Sequence, residues 1–214
     1  MKRIALIAGV AVLAVVWGVP FTGLLEASFT RHMLTHMGVV AVAAPLLGIG
    51  LSGTRLDASD HLPVLLSPVV ASLLDLVVVW LWHVPAMRML VAASPLAAVA
   101  EQASFLVAGL VLWLACLGSR NAADSDRRRA AGAFGLLLTS VHMTLLGALL
   151  ALAPRPLYGF DTVTCFGVPL SGAQDQQLGG AVMLFIGAVV YTAGGLALLA
   201  RVLRRPEPVE GAAR

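Results

Sequence analysis

Residues 178–203 read LGGAVMLFIGAVVYTAGGLALLARVL, with no charged side chain before Arg201. At about 1.5 Å of rise per residue, such a run crosses the roughly 30 Å hydrocarbon core of a bilayer as one helix. Five similar runs precede it: Ile4 to Leu25, Met33 to Leu51, Val64 to His83, Leu96 to Leu117 and Ala131 to Ala153. They explain why the 214 residues are 59% hydrophobic and only 12% charged, with a mean hydropathy of +0.93. A soluble domain carries about 25% charged residues, so a soluble globular fold is excluded. An outer-membrane barrel would show short segments of alternating polarity, and none is present. The expected fold class is therefore all-α, a polytopic membrane helix bundle of about six transmembrane helices. It forms one domain over residues 1–203, followed by a polar, Pro-containing tail at 204–214 that is expected to be disordered. The runs are rich in Gly and Ala, which lets helix backbones approach closely in lipid.

Lys and Arg at the helix ends predict the orientation. With a cytoplasmic N-terminus, that side receives Lys2, Arg3, Arg55, Arg120, Arg127, Arg128, Arg129, Arg201, Arg204, Arg205 and Arg214. The other side receives only Arg31, Arg88 and Arg155. Both termini are then inside (N-in/C-in), and loops 23–31, 85–95 and 154–177 face outward. Arg127 to Arg129, beside Asp124 and Asp126, read as a loop that fixes topology. The pI near 9.4 thus reflects membrane orientation and anionic headgroups rather than nucleic acid. Lys2-Arg3 ahead of an apolar stretch also resembles a signal peptide, although Trp17-Gly18-Val19-Pro20 offers no small-residue cleavage site. Cys116 and Cys165 fall on opposite faces, which excludes a disulfide between them, and no CxxC pair supports thiol redox chemistry.

Ionisable side chains in hydrocarbon are costly, so their positions are informative. His32 and His36 open helix two, His83 closes helix three, and Glu101 with Gln102 sits about one turn inside helix four. Asp175, Gln176 and Gln177 precede helix six. All of these are at the outer side, while His61 alone lies in an inner loop. His32 and His36 are spaced i, i+4, which stacks both imidazoles on one helix face about 6 Å apart. Met33 and Met37 repeat the spacing on the next stripe. Imidazole with thioether suits copper better than magnesium, calcium or manganese, which prefer oxygen. The plainer roles stay open: His83 beside Trp80 and Trp82 as an interfacial residue, Glu101 as a solvated carboxylate or a partner of the ligands, and Asp175 as a cap on helix six.

Asp75 and His142 fall near the middle of helices three and five at matched depth, which suggests that they pair. Met143 next to His142 makes a deeper copper position conceivable. Enzyme motifs fail: in HMLTH the residue Met33 replaces the general-base glutamate of an HExxH protease, and no phosphate loop or GxSxG occurs. The expected role is not enzymatic.

Several segments together resemble the CtaG-type cytochrome c oxidase assembly factors, a family of copper-handling bacterial membrane proteins. They are HMLTHM (His32 to Met37) with APLL (Ala44 to Leu47), WLWHVPA (Trp80 to Ala86), EQASFLVAGLVLW (Glu101 to Trp113), LLGALLALAPRPLY (Leu145 to Tyr158), and DQQLGG (Asp175 to Gly180) with Met183 beyond. The resemblance implies copper handling at the outer (periplasmic) face of the bacterial plasma (inner) membrane, as an assembly factor or chaperone for cytochrome c oxidase. Haem-copper oxidase subunits or another copper chaperone would be its partners. It implies His32, His36 and His83 as the metal site. The residues add Met33, Met37, Glu101 and His142 as further candidates. Where the family often has histidine beside the glutamate, this chain has Gln102. The residues alone also admit a haem-b redox protein with His36, His83 or His142 as axial ligands, a copper permease running through Asp75 and His142, or a purely structural oxidase-associated subunit.

Overall fold

The computed structural model describes residues 1–18, 28–54, 57, 67–117, 125–159, 162–165 and 167–204. These form seven helices: α1 (Lys2–Gly18), α2 (Phe29–Leu51), α3 (Pro68–Trp82), α4 (Pro85–Ala93), α5 (Pro95–Leu117), α6 (Ser125–Ala151) and α7 (Gly172–Leu203). A two-stranded antiparallel hairpin, β1 (Thr162–Cys165) and β2 (Val168–Ser171), lies between α6 and α7. The architecture is an all-α polytopic bundle. Helices α2, α5, α6 and α7 are each long and apolar enough to cross a membrane, and α3 with α4 makes a fifth candidate bent by 69°. The first predicted run continues past α1 into residues outside the described ones. So do the start of the third run, Arg55, His61, Arg120, Asp124 and the tail from Arg205.

Local chemistry sets the helix ends. Ser67 caps α3 through Val70 N, and Pro68, Pro85 and Pro95 each occupy a first helical position, where the missing N–H costs nothing. Because Pro85 cannot continue α3, the chain turns at His83-Val84 and starts α4. The expected loop 85–95 is thus mostly a helix, stabilised by its own turn of backbone hydrogen bonds. Ser171 and Gln174 form a capping box that starts α7 six residues earlier than the apolar run. Asp175, Gln176 and Gln177 consequently lie inside the helix and do not precede it. Arg127 to Arg129 are also helical rather than a loop, with Arg129 bonded to Asp126 one turn back at 3.3 Å.

Helix α2 is interrupted by a π-helical segment, Gly38–Ala43, with Ala44 N–H donating to Val39 O. Pro45 explains it. Proline has no N–H for the ladder and its ring crowds the preceding carbonyls, so the turn before it widens. In this wider register the group that would donate to Val40 O is the nitrogen of Pro45. The hydroxyl of the fully buried Tyr191 of α7 donates to Val40 O instead, at 3.2 Å, meeting the requirement that membrane-depth backbone be satisfied internally.

Packing follows the small residues. A Cβ on Gly147 would stand 2.6 Å from Leu184 N, and one on Gly180 2.5 Å from Ala151 N, so α6 and α7 touch backbone to backbone. The outward face is apolar too: Val77, Phe134, Val141, Phe185 and Leu196 are each more than half exposed. Helices alternate in direction. Lys2 donates to Ser52 O and Ser52 to Leu117 O, while Gly132 abuts Cys116 and Leu198. Both ends of the described helical chain therefore gather at one end of the bundle. The His32 end of α2, the His83 end of α3 and the Glu101 end of α5 gather at the other.

Candidate functional site

Three elements converge at that second end. Ser28 caps α2 through Arg31 N, which places His32 on its first turn and His36 one turn deeper. His83 is the C-cap of α3, held there by backbone bonds to Val79 and Trp80. The ring centroids are 6.2 Å apart for His32 and His36, 5.5 Å for His32 and His83, and 5.3 Å for His36 and His83. The planes of His32 and His36 differ by only 9°, as the i, i+4 spacing requires. Phe105 of α5 lies 4.1 Å from His36 and closes the cluster from below. All three imidazoles are buried, His36 completely.

Each ring leaves nitrogen unpaired. His83 Nδ1 is 2.6 Å from Val79 O, and since a carbonyl only accepts, Nδ1 carries the proton and Nε2 the lone pair. Nε2 of His83 has no partner. His32 Nδ1 lies 3.7 Å from Glu101 Oε2, and its Nε2 is likewise unpartnered. For His36 both nitrogens are. Buried polar atoms are nearly always satisfied, so three orphaned Nε2 atoms in one cluster fit a site for a ligand that accepts electron pairs. In their present rotamers the side chains do not converge: among the described residues, no group of three or more His, Cys, Asp or Glu side chains is arranged to hold a metal ion.

Around the cluster lies a supporting layer that the sequence reading gave little weight. Arg88 Nη1 on α4 donates to Glu101 Oε1 at 2.5 Å, and Gln102 Nε2 reaches Glu101 Oε2 at 3.5 Å. Gln102 in turn accepts from Trp17 Nε1 of α1 at 3.3 Å. Tyr158 donates its hydroxyl to His83 O at 2.8 Å and stacks on Phe29. Burial pushes that phenol up to about 12, so it remains a donor at neutral pH. In the sequence Arg88 had counted only as an outer-side cation that helps to set orientation, and Tyr158 only as the last residue of the segment LLGALLALAPRPLY. A cavity of about 1170 Å³ opens beside the cluster, with His32, Arg88, Glu101, Gln102 and Tyr158 among its walls.

The remaining expectations divide. Met33 and Met37 are fully buried on the adjoining stripe, where Gly179 and Gly187 of α7 meet them; both pack against α7. His142 does pair with Asp75, at 3.6 Å between Nε2 and Oδ2, and makes no ring contact with His32, His36 or His83. Asp175 does not cap its own helix, a task Ser171 performs. Its carboxylate accepts from Phe29 N at 2.6 Å and Thr30 N at 3.0 Å, so it caps α2. The reason is position: in the first turn of α7 it points across to the open N-terminus of its neighbour. Cys116 and Cys165 are unpaired and sit at opposite ends, as expected.

No curated protein and no solved structure matches the chain. The family model of the cytochrome c oxidase caa3 assembly factor (Caa3_CtaG) matches residues 1–205, which takes in every helix and every side chain of the cluster. The chain belongs to the caa3 cytochrome c oxidase assembly factor family.

Proposed function

We propose that this chain is a non-catalytic copper-binding assembly factor of the bacterial plasma (inner) membrane. It takes copper as cargo at the outer, periplasmic face and passes it on while the haem-copper oxidase is assembled. Both termini are inside, so the histidine end faces outward. Its partners are oxidase subunits or another copper chaperone.

The observation that carries this reading is the set of three buried, unpartnered Nε2 atoms on His32, His36 and His83. His83 is oriented from behind by a backbone carbonyl, the arrangement that metal-ligating histidines use, and the Glu101 carboxylate stands beside His32 at 3.7 Å. His36 has neither nitrogen tied by a hydrogen bond. Neutral imidazoles suit copper, and Glu101 offsets the incoming charge. Arg88 neutralises Glu101 while no cargo is bound. The adjoining cavity gives the cluster a mouth through which an ion can pass.

Metal analysis of the purified protein tests this. Wild type retains copper, and His36→Ala and His83→Ala each lose one equivalent while eluting as folded protein. Wild type that holds no copper under either oxidising or reducing conditions overturns the proposal.

A further inference from the structure

Asp75 and His142 lie on facing sides of α3 and α6, deep in the bundle, and the outer cluster does not use them. Asp75 is 0% exposed and His142 4%. Neither carboxylate oxygen of Asp75 and neither ring nitrogen of His142 has a hydrogen-bond partner. Four unsatisfied polar atoms at membrane depth are expensive, and intramembrane acids persist where they bind something.

The separation is informative. At 3.6 Å, Nε2 and Oδ2 are farther apart than a hydrogen-bonded N–H···O pair, about 2.7–3.2 Å. Two ligands bound at about 2.1 Å to one tetrahedral ion stand roughly 3.4 Å apart. The pair is therefore spaced closer to two ligands of one cation than to donor and acceptor. One turn toward the Lys2 end, Ser72 and Thr139 are hydrogen bonded at 2.8 Å and fully buried. Tyr191 of α7 is within electrostatic reach of Asp75. Asp75, Val79 and His83 are at i, i+4 and i+8, so one stripe of α3 joins the two places across about 12 Å.

We propose that Asp75 and His142 form a second, intramembrane binding site for a transition-metal ion, separate from the three-histidine cluster. Carboxylate and imidazole are its protein ligands, and water or the hydroxyls of Ser72 and Thr139 complete the shell. That the ion is copper rests on the function proposed above, whereas the site itself does not.

The test is a copper titration of purified full-length protein in detergent, counting bound ions per chain. Two ions are expected in wild type and one each in Asp75→Asn, His142→Gln and His36→Ala. One ion in wild type, retained in Asp75→Asn, overturns the second site. Two ions in His36→Ala with one in Asp75→Asn would sink the outer cluster and leave the inner site standing. If Asp75→Asn does not fold, the count in folded His142→Gln decides: one ion supports the site, and a count equal to wild type overturns it.

Discussion

His83 Nδ1 stands 2.6 Å from the carbonyl oxygen of Val79, one turn back on α3, so backbone fixes which nitrogen of this ring is free. His32 has no such bond, and the Glu101 carboxylate stands 3.7 Å from its Nδ1. A backbone carbonyl cannot be removed by substitution, whereas a carboxylate can. Glu101→Gln keeps the shape and removes the charge, and loss of such a partner typically costs about 10–100-fold in metal affinity. A copper titration of Glu101→Gln is expected to show that weakening with the helical content unchanged. Affinity equal to wild type would mean that Glu101 does not support the ligand ring.

Asp175 joins two helices that are distant in sequence. Its carboxylate holds the N–H groups of Phe29 and Thr30, while Thr30 Oγ1 returns a bond to Asp175 O at 3.0 Å. Charge-assisted bonds of this kind contribute roughly 1.5–3 kcal/mol each, and cap removal about 1. Asp175→Ala is expected to lower stability by about 2 kcal/mol, read from denaturant unfolding in detergent micelles. It also loosens the first turn of α2, so copper affinity falls with it. An unfolding midpoint unchanged from wild type would show that water replaces the carboxylate.

Asp175 marks the boundary of what the sequence could tell. Periodicity and capping are local signals, so the helical runs and the grouping of His32, His36 and His83 at one end were readable from apolar lengths and residue spacing. The partner of Asp175 lies some 145 residues away, and no local rule names it; the nearest helix N-terminus was its own. Helix α4 was missed because Pro85-Ala-Met-Arg is short and partly polar, and Pro reads equally as a loop or as a first helical residue. The pairing of Asp75 with His142 was readable because depth in a bilayer adds a coordinate that soluble chains lack.

Pro45 makes a different demand on α2. It removes a backbone donor, and the π segment absorbs the defect with help from Tyr191. One extra residue in a turn rotates everything before it by about 100° relative to the part that follows. The His32 and His36 face is thus aimed at α3 and α5 by a defect that begins two residues after His36. Pro45→Ala restores the missing N–H and is expected to favour an unbroken α-helix, turning both histidines away from His83. The measurement is copper binding together with helical content: helicity kept or raised, and affinity reduced at least tenfold. Undiminished affinity would show that the π turn survives without proline.

Arg88 links the short helix α4 to the charge of the cluster. Helix α4 has no buried residue of its own, and its guanidinium reaches Glu101, whose side chain is only 3% exposed. Removing one member of such a pair leaves a buried carboxylate without compensation, which costs about 3–5 kcal/mol when burial is complete and less here, where Arg88 is 18% exposed. Arg88→Ala is therefore expected to destabilise the copper-free protein by about 2 kcal/mol. A bound cation beside Glu101 supplies the missing positive charge, so copper should stabilise Arg88→Ala more than it stabilises wild type. Thermal unfolding of both proteins with and without copper measures this difference. Equal copper-induced shifts in the two proteins would mean that Glu101 does not feel the ion, and would separate the Arg88–Glu101 pair from the work of the three histidines.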